Sequence, residues 1–181
     1  MPLARLTPLD TSFLRMETPD AHMHVAWRGR FRLPDDGPPV TLARVRRQIA
    51  ARLEIAPRFR QRLAPTPGGL AEPVWVDDED FTIEEHVHRL ADPRPALPAR
   101  RFDELADIEL SRALPRDRPL WSLHVAERLD DGTAGILMKV HHAMVDGMSA
   151  VALALLLLDA EPGAGPAAAA AGPPPVWEPE R

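Results

Sequence analysis

Two apolar runs joined by a tight turn constrain this chain more than any other feature. Leu120-Trp121-Ser122-Leu123-His124-Val125-Ala126-Glu127 reads as a central strand, and Gly135-Ile136-Leu137-Met138 opens a second, buried one that runs to Val140. Between them lies Asp130-Asp131-Gly132-Thr133, and Asp-Gly between strand-like runs is a hairpin signal. The two strands must therefore pair antiparallel. That pairing carries Pro119-Leu120-Trp121, at the start of the first, to the end of the second, where His141 and His142 stand. Hairpin topology alone dictates this placement.

Adjacent side chains on a strand point to opposite faces, so His141 and His142 are expected to serve different ends. One can face an open cleft while the other packs away from it. Asp146, four residues beyond His142, is placed to hold the local backbone or an arginine, and Gly147 permits a tight bend. Met148 to Leu158 then reads as a helix. A neutral imidazole titrates near neutral pH and can take a proton from a hydroxyl or a thiol. A lone histidine is more often structural. The position at a strand end, where sites collect in α/β folds, favours a catalytic His142.

The rest of the chain alternates helical and extended patterns. Pro8-Leu9-Asp10-Thr11-Ser12 is helix-start chemistry, with Asp10 or Thr11 as N-cap, and Phe13, Leu14 and Met16 follow. Met23 to Leu33 reads as a strand with Val25, Trp27 and Phe31 on one face. Thr41 caps an amphipathic helix whose Leu42, Val45, Ile49 and Leu53 repeat at helical spacing. Its arginines read as a solvated face, with CoA phosphates or anionic lipid head groups as the alternative contact. Arg58, Phe59, Arg60 and Arg62 invite the same two readings.

Ala71 to Val76 reads as a strand, and an extended segment is expected from Phe81 through Leu90. His22/His24 and His86/His88 are H-x-H pairs that would share a strand face, but neither has an evident third ligand, so no metal site is expected. Arg100 to Leu114 reads as a helix with Leu105, Ile108, Leu110 and Leu114 as its buried stripe. From Glu161 onward Ala, Gly and Pro dominate, which is linker composition. The expected organisation is a lobe over residues 1–160 and a linker or tail over 161–181.

With 181 residues, 45 % of them apolar, the chain can build the core of one domain. It has no cysteine, which excludes a thiol nucleophile, a disulfide framework and thiolate-ligated zinc. A net charge of -5 without a basic block argues against nucleic acid as a partner. Lys139 is the only lysine, a bias that reads as high-GC coding. The N-terminus lacks the pattern of a signal peptide, and Met148 to Leu158 is far short of the roughly 20 residues that span a bilayer. A cytoplasmic protein, able to touch a membrane or lipid inclusion peripherally, is expected.

His141-His142-Ala143-Met144-Val145-Asp146-Gly147 resembles the H-H-x-x-x-D-G signature of CoA-dependent acyltransferases, a superfamily that includes chloramphenicol acetyltransferase and peptide-synthetase condensation domains. Leu6-Thr7-Pro8-Leu9-Asp10 with Phe13-Leu14 is similar to the N-terminal signature of bacterial wax ester synthase/diacylglycerol acyltransferases, and Pro119-Leu120-Trp121 matches their P-L-W motif. The three lie in the family's order, and the similarity runs from Leu6 to about Leu158.

The resemblance implies an α/β fold: a mixed, largely antiparallel sheet flanked by helices, as in one lobe of the two-lobe chloramphenicol acetyltransferase-like architecture. Family members are about twice as long. This chain corresponds to their first lobe and the start of the inter-lobe linker, so a second acyltransferase lobe is an implied partner. Transfer of a fatty acyl group from acyl-CoA to diacylglycerol or a long-chain alcohol is the implied reaction, with acyl-CoA as substrate and no cofactor. His142 would be the general base, His141 a support for the fold, Asp146 a holder of the loop through an arginine such as Arg15 or Arg30, and Gly147 the turn former. Pro119, Leu120 and Trp121 would support the channel. No donor for the thioester oxyanion is evident in this chain. The non-enzymatic alternative is a lobe that only binds a partner lobe or lipid.

Overall fold

The computed structural model describes residues 4–32, 37–54, 56–66, 68, 71–90, 92, 94 and 96–145. In chain order its elements are β1 (Ala4–Arg5), α1 (Pro8–Met16), β2 (His24–Arg32), α2 (Leu42–Arg52), β3 (Gln61–Ala64), β4 (Val74–Asp77), β5 (Val87–Arg89), α3 (Ala99–Leu110), β6 (Trp121–Ala126) and β7 (Thr133–His141). The β6–β7 hairpin forms as expected, with Trp121 opposite Val140 and Ala126 opposite Gly135. Gly132 takes a φ of +80° in its turn, a conformation that a side chain disfavours. The Asp131 carboxylate accepts from the Thr133 amide at 3.0 Å and its hydroxyl at 2.6 Å, which closes the turn from the other side.

Two further strands complete a four-stranded sheet in the order β2-β7-β6-β5. β2 pairs antiparallel with β7, setting His24 opposite His141, and β5 runs parallel to β6. A second sheet of order β1-β4-β3 is antiparallel throughout. The architecture is thus a mixed, largely antiparallel sheet with helices packed on it, the fold class expected.

Cross-strand partners share a face, so the register sorts the large sheet into two. One face carries Trp27, Met138, Val140, Leu123 and Val125 and joins the main core with Ile49 and Leu53 of α2 and with Phe59 and Trp75. Thr41 caps α2, its hydroxyl accepting from the Arg44 amide at 3.2 Å, and the predicted apolar stripe faces inward. The opposite face carries Gly135, Leu137, Lys139 and His141 of β7 with Ser122 and His124 of β6. α3 covers part of it. Phe102 is 1 % exposed and lies over Gly135, and the Lys139 ammonium donates to the carbonyls of Glu109 at 2.7 Å and Arg112 at 2.8 Å. A cation at a helix C-terminus meets the negative end of the helix dipole. Arg28 adds a pair to Asp107 at 2.7 Å, half exposed and worth at most about 1 kcal/mol, whereas burying a Phe contributes about 1.5–3 kcal/mol. Packing of Phe102 therefore places α3.

Several local expectations need correction. The N-cap of α1 is Thr7, and Asp10 is the N3 partner of a capping box: its carboxylate accepts from the Thr7 amide at 3.0 Å while the Thr7 hydroxyl accepts from the Asp10 amide at 3.1 Å. Arg52 of α2 is buried, and Arg46 donates to the Val87 carbonyl at 3.0 Å, so this helix is not simply solvated on its basic side. The segment after Phe81 is not extended throughout, because a 3-10 turn at Ile83–Glu85 precedes β5. α3 ends at Leu110, its buried positions are Phe102 and Ala106, and Ile108 is 43 % exposed. The helix predicted over residues 148–158 and the linker over 161–181 lie outside the described residues.

Gly135 makes the packing testable. A Cβ built there would stand 2.5, 2.7 and 2.9 Å from carbons of the buried Phe102 ring, so the ring or the backbone would have to shift. Gly135→Ala is expected to destabilise the protein by about 1–3 kcal/mol, read as a lower urea midpoint. Gly135→Ala combined with Phe102→Leu should recover part of that loss.

Candidate active site

β7 delivers the histidine pair to a single 3-10 turn, His142–Met144. Its entry is held from both neighbouring strands. The His141 amide donates to the Leu120 carbonyl at 2.9 Å, and the His142 amide to the Met23 carbonyl at 2.8 Å. Ala143, Met144 and Val145 are buried in the main core, so the apolar residues of the turn act as its anchor.

The two rings part company here. His141 is 1 % exposed, and its Nδ1 accepts from the Ala143 amide at 3.0 Å. His142 is only partly buried, and its ring stacks on Phe13 of α1 with centroids 4.6 Å apart and planes 18° from parallel. An accessible imidazole clamped flat against an aromatic ring has a fixed aim and an open edge. Burial pushes the His141 imidazole down to about 4, helped by Arg116, His142 and His24 and opposed by Glu17. His141 is therefore neutral at physiological pH.

Pro119, Leu120 and Trp121 reach the same end of the sheet, as the hairpin requires. All three are buried. The Trp121 indole N–H donates to the Phe59 carbonyl at 2.8 Å, and its ring stacks on His86 at 4.5 Å. Leu120 contributes the carbonyl that fixes His141. These residues shape the frame around the histidine turn. Asp146 and Gly147 lie outside the described residues. Of the arginines considered for Asp146, Arg15 pairs with Glu72, and Arg30 pairs with Asp131 at 3.5 Å, at the hairpin end of the sheet. Arg30 sits opposite Gly135, six residues up β7 from His141, or about 20 Å at strand rise.

The two H-x-H pairs are built differently. His86 has helical backbone angles just before β5, which breaks the strand alternation. Its Nδ1–H donates to the Trp121 carbonyl at 2.9 Å, while His88 lies across the sheet against His124. His22 and His24 stack at 5.7 Å, and His22 Nε2 lies 3.0 Å from the Ser111 carbonyl. Among the described residues no group of three or more His, Asp or Glu side chains could hold a metal ion.

Sequence reasoning missed Glu17 and Arg116, which pair beside His141, and it read Phe13 as a helix and motif residue without linking it to His142. Only Phe13 carried a signal: an aromatic within the N-terminal motif, on a helix followed closely by the strand that flanks β7. The buried polar layer of Ser122, His124 and Lys139 was also missed: the first two were read only as parts of a central strand, and Lys139 only as coding bias.

The model of the wax ester synthase/diacylglycerol acyltransferase catalytic domain matches residues 6–180. The chain belongs to the wax ester synthase/diacylglycerol acyltransferase family. It is 38 % identical over 157 residues to a Mycobacterium tuberculosis protein named a probable diacylglycerol O-acyltransferase, tgs2, covering 87 % of this chain and 34 % of that one. A second M. tuberculosis protein of the same description, tgs1, is 40 % identical over 154 residues, covering 85 % and 33 %. The wax ester synthase/diacylglycerol acyltransferase of Marinobacter aquaeolei VT8 superposes with a TM-score of 0.70 at 34 % identity, over 83 % of this chain and 37 % of that one. The first condensation domain of the calcium-dependent antibiotic synthetase superposes with a TM-score of 0.63 at 17 % identity, a likeness of fold alone. This wax ester synthase/diacylglycerol acyltransferase family chain spans about a third of the length of the relatives it matches, so they are more than twice as long.

The buried histidines give this family member a pH dependence. His124, 8 % exposed, is also held down at about 4, by burial first and then by His88, Lys139 and Arg112, with Glu109 3.9 Å away as the facing carboxylate. Both rings gain a proton near pH 6.5 when unfolded but only near 4 when folded. Between those values the unfolded chain binds more protons, so stability present above pH 6.5 is lost as pH falls toward 4. Each histidine is expected to lower stability by roughly 2 kcal/mol at pH 5. Urea midpoints taken from pH 7.5 to 4.5 measure this, and His124→Gln should shrink the drop.

Proposed function

We propose that this chain is the N-terminal catalytic lobe, residues 1–160 with a linker from 161, of an acyl-CoA-dependent O-acyltransferase in which His142 is the general base. The observation that carries the reading is the accessible His142 ring stacked on Phe13, on a helix that leaves Leu9 55 % and Met16 57 % exposed. Leu9, Phe13 and Met16 are spaced to share one side of α1. A base beside exposed apolar side chains suits an acceptor with a hydroxyl on a fatty body, namely diacylglycerol or a long-chain alcohol. The same apolar side suits peripheral contact with a membrane or lipid inclusion. Among the described residues no helix is long and apolar enough to cross a membrane.

His142 takes the hydroxyl proton as the acceptor oxygen attacks the thioester carbonyl of acyl-CoA. The C–S bond then breaks, and the imidazolium returns the proton to the leaving CoA thiolate. The products are an ester and free CoA. The step needs no covalent acyl-enzyme and no cofactor, and the chain has no cysteine to form a thioester of its own. His141 and Asp146 hold the turn, Gly147 bends it, and Pro119, Leu120 and Trp121 frame it. A second lobe supplies the other wall of the channel and the donor for the oxyanion.

Release of CoA thiol from palmitoyl-CoA, with diacylglycerol or hexadecanol as acceptor, tests the reading. The chain is assayed alone and with a separately expressed second lobe. Acceptor-dependent release is expected, falling about 10²–10⁴-fold in His142→Ala. No release from folded protein under either condition would leave a lobe that only binds a partner or lipid.

A further inference from the structure

His141 has one ring nitrogen accounted for and one without a partner. Nδ1 accepts from the Ala143 amide, so in the neutral ring the proton must sit on Nε2. Nε2 is buried and reaches no hydrogen-bond acceptor. A buried donor left in that state carries its full desolvation penalty, so whatever stands nearest to it matters. That group is the Glu17 carboxylate, with Oε2 3.8 Å from Nε2 and a side chain only 11 % exposed. Glu17 is the C-cap residue of α1, the helix that also carries Phe13. Its carboxylate is paired with the Arg116 guanidinium, which also donates to the Leu14 carbonyl at 3.3 Å. Arg116 therefore ties Glu17 and the end of α1 to the loop leading into β6.

We propose that Glu17 is a positioning residue for the histidine turn: its carboxylate, 3.8 Å away, attracts the proton on His141 Nε2, favours that tautomer, and so keeps Nδ1 free to accept the Ala143 amide that shapes the turn bearing His142. The opposite tautomer would set an N–H against the Ala143 N–H. That clash would open the turn and release the ring that stacks on Phe13. The effect of Glu17 passes through His141, and Arg116 holds the carboxylate in place. The catalytic consequence rests on the reading of His142 as base, whereas the tautomer does not.

Among the described residues that bear on His141 electrostatically, Glu17 alone is anionic: His24 across the strand and His142 along the chain are imidazoles, and Arg116 is a cation. Sequence gives little warning of the arrangement, because Glu17 and Arg116 are 99 residues apart.

Long-range proton–nitrogen NMR of the histidine rings reads the tautomer directly, on the chain as it stands and without substrate. Wild type is expected to show His141 as a single Nε2–H tautomer. In Glu17→Ala that tautomer should mix with the other, and exchange of the Ala143 amide should speed roughly fivefold or more. Glu17→Gln retains an acceptor oxygen and should keep the Nε2–H tautomer, so it reports even if the alanine variant fails to fold. A wild-type Nδ1–H tautomer would overturn the proposal, as would Glu17→Ala with unchanged tautomer and unchanged Ala143 exchange. Loss of the Nε2–H tautomer in folded Glu17→Gln would also overturn it. In the CoA-release assay, Glu17→Ala should lower kcat about tenfold with KM little changed. A supported tautomer without any CoA release would reject the proposed base and leave the Glu17–His141 link standing.

Discussion

The structure depends on β7 being buried on both of its faces. From Ala134 to His141 every residue is buried. Such a strand cannot satisfy its backbone at an edge, so it must be flanked by β2 and β6, and it cannot leave either face to water. α2 and the small second sheet supply the cover on one side, and α3 supplies part of it on the other. The helix positions follow from this demand. α3 lies where Gly135 lets the Phe102 ring approach the sheet, and its C-terminus lies where Lys139 needs carbonyl partners.

That arrangement explains why the histidine turn is rigid. A loop leaving a central strand starts with hydrogen-bond partners on two sides, here Leu120 just before β6 and Met23 just before β2. Its next three residues are apolar and sink into the core. The backbone is held from both sides, the His141 side chain accepts from the turn, and Phe13 stacks on the His142 ring. Pre-organisation of this kind lets a base act without an ordering cost at the moment of reaction.

The parts legible in the sequence were those set by local chemistry and short-range pairing. The β6–β7 hairpin follows from Asp131-Gly132 between apolar runs, and the α2 stripe from Leu42, Val45, Ile49 and Leu53. The separation of His141 from His142 follows from strand alternation. The existence of α1 was readable, but its cap was placed three or four residues late, at Asp10 or Thr11, because Thr7 and Asp10 both have capping side chains. What stayed hidden depends on contacts between distant segments. Arg116 meets Glu17, His86 meets Trp121, and Lys139 meets the end of α3, and no local pattern announces any of them. The burial of Arg52 belongs with these, since a stripe argument counts every arginine as solvent-facing.

Lys139 shows how composition can mislead. As the only lysine in an arginine-rich chain it suggested nothing but coding bias. In the fold its ammonium is buried between β7 and α3, burial pulls its pKa down with Glu109 opposing, and it donates to two carbonyls at the helix end. A compact ammonium with freely placed donors fits two carbonyls on one turn, whereas a planar guanidinium would bring five donors in a rigid fork into a site with two acceptors. Its remaining donors would have to turn toward the Glu109 carboxylate, which lies 3.9 Å from the His124 ring. The polar layer under α3 thus has its own stereochemical demand, met two residues before His141 on the same face of the strand that delivers the histidine turn. Packing of α3 and placement of the site are therefore coupled along one strand.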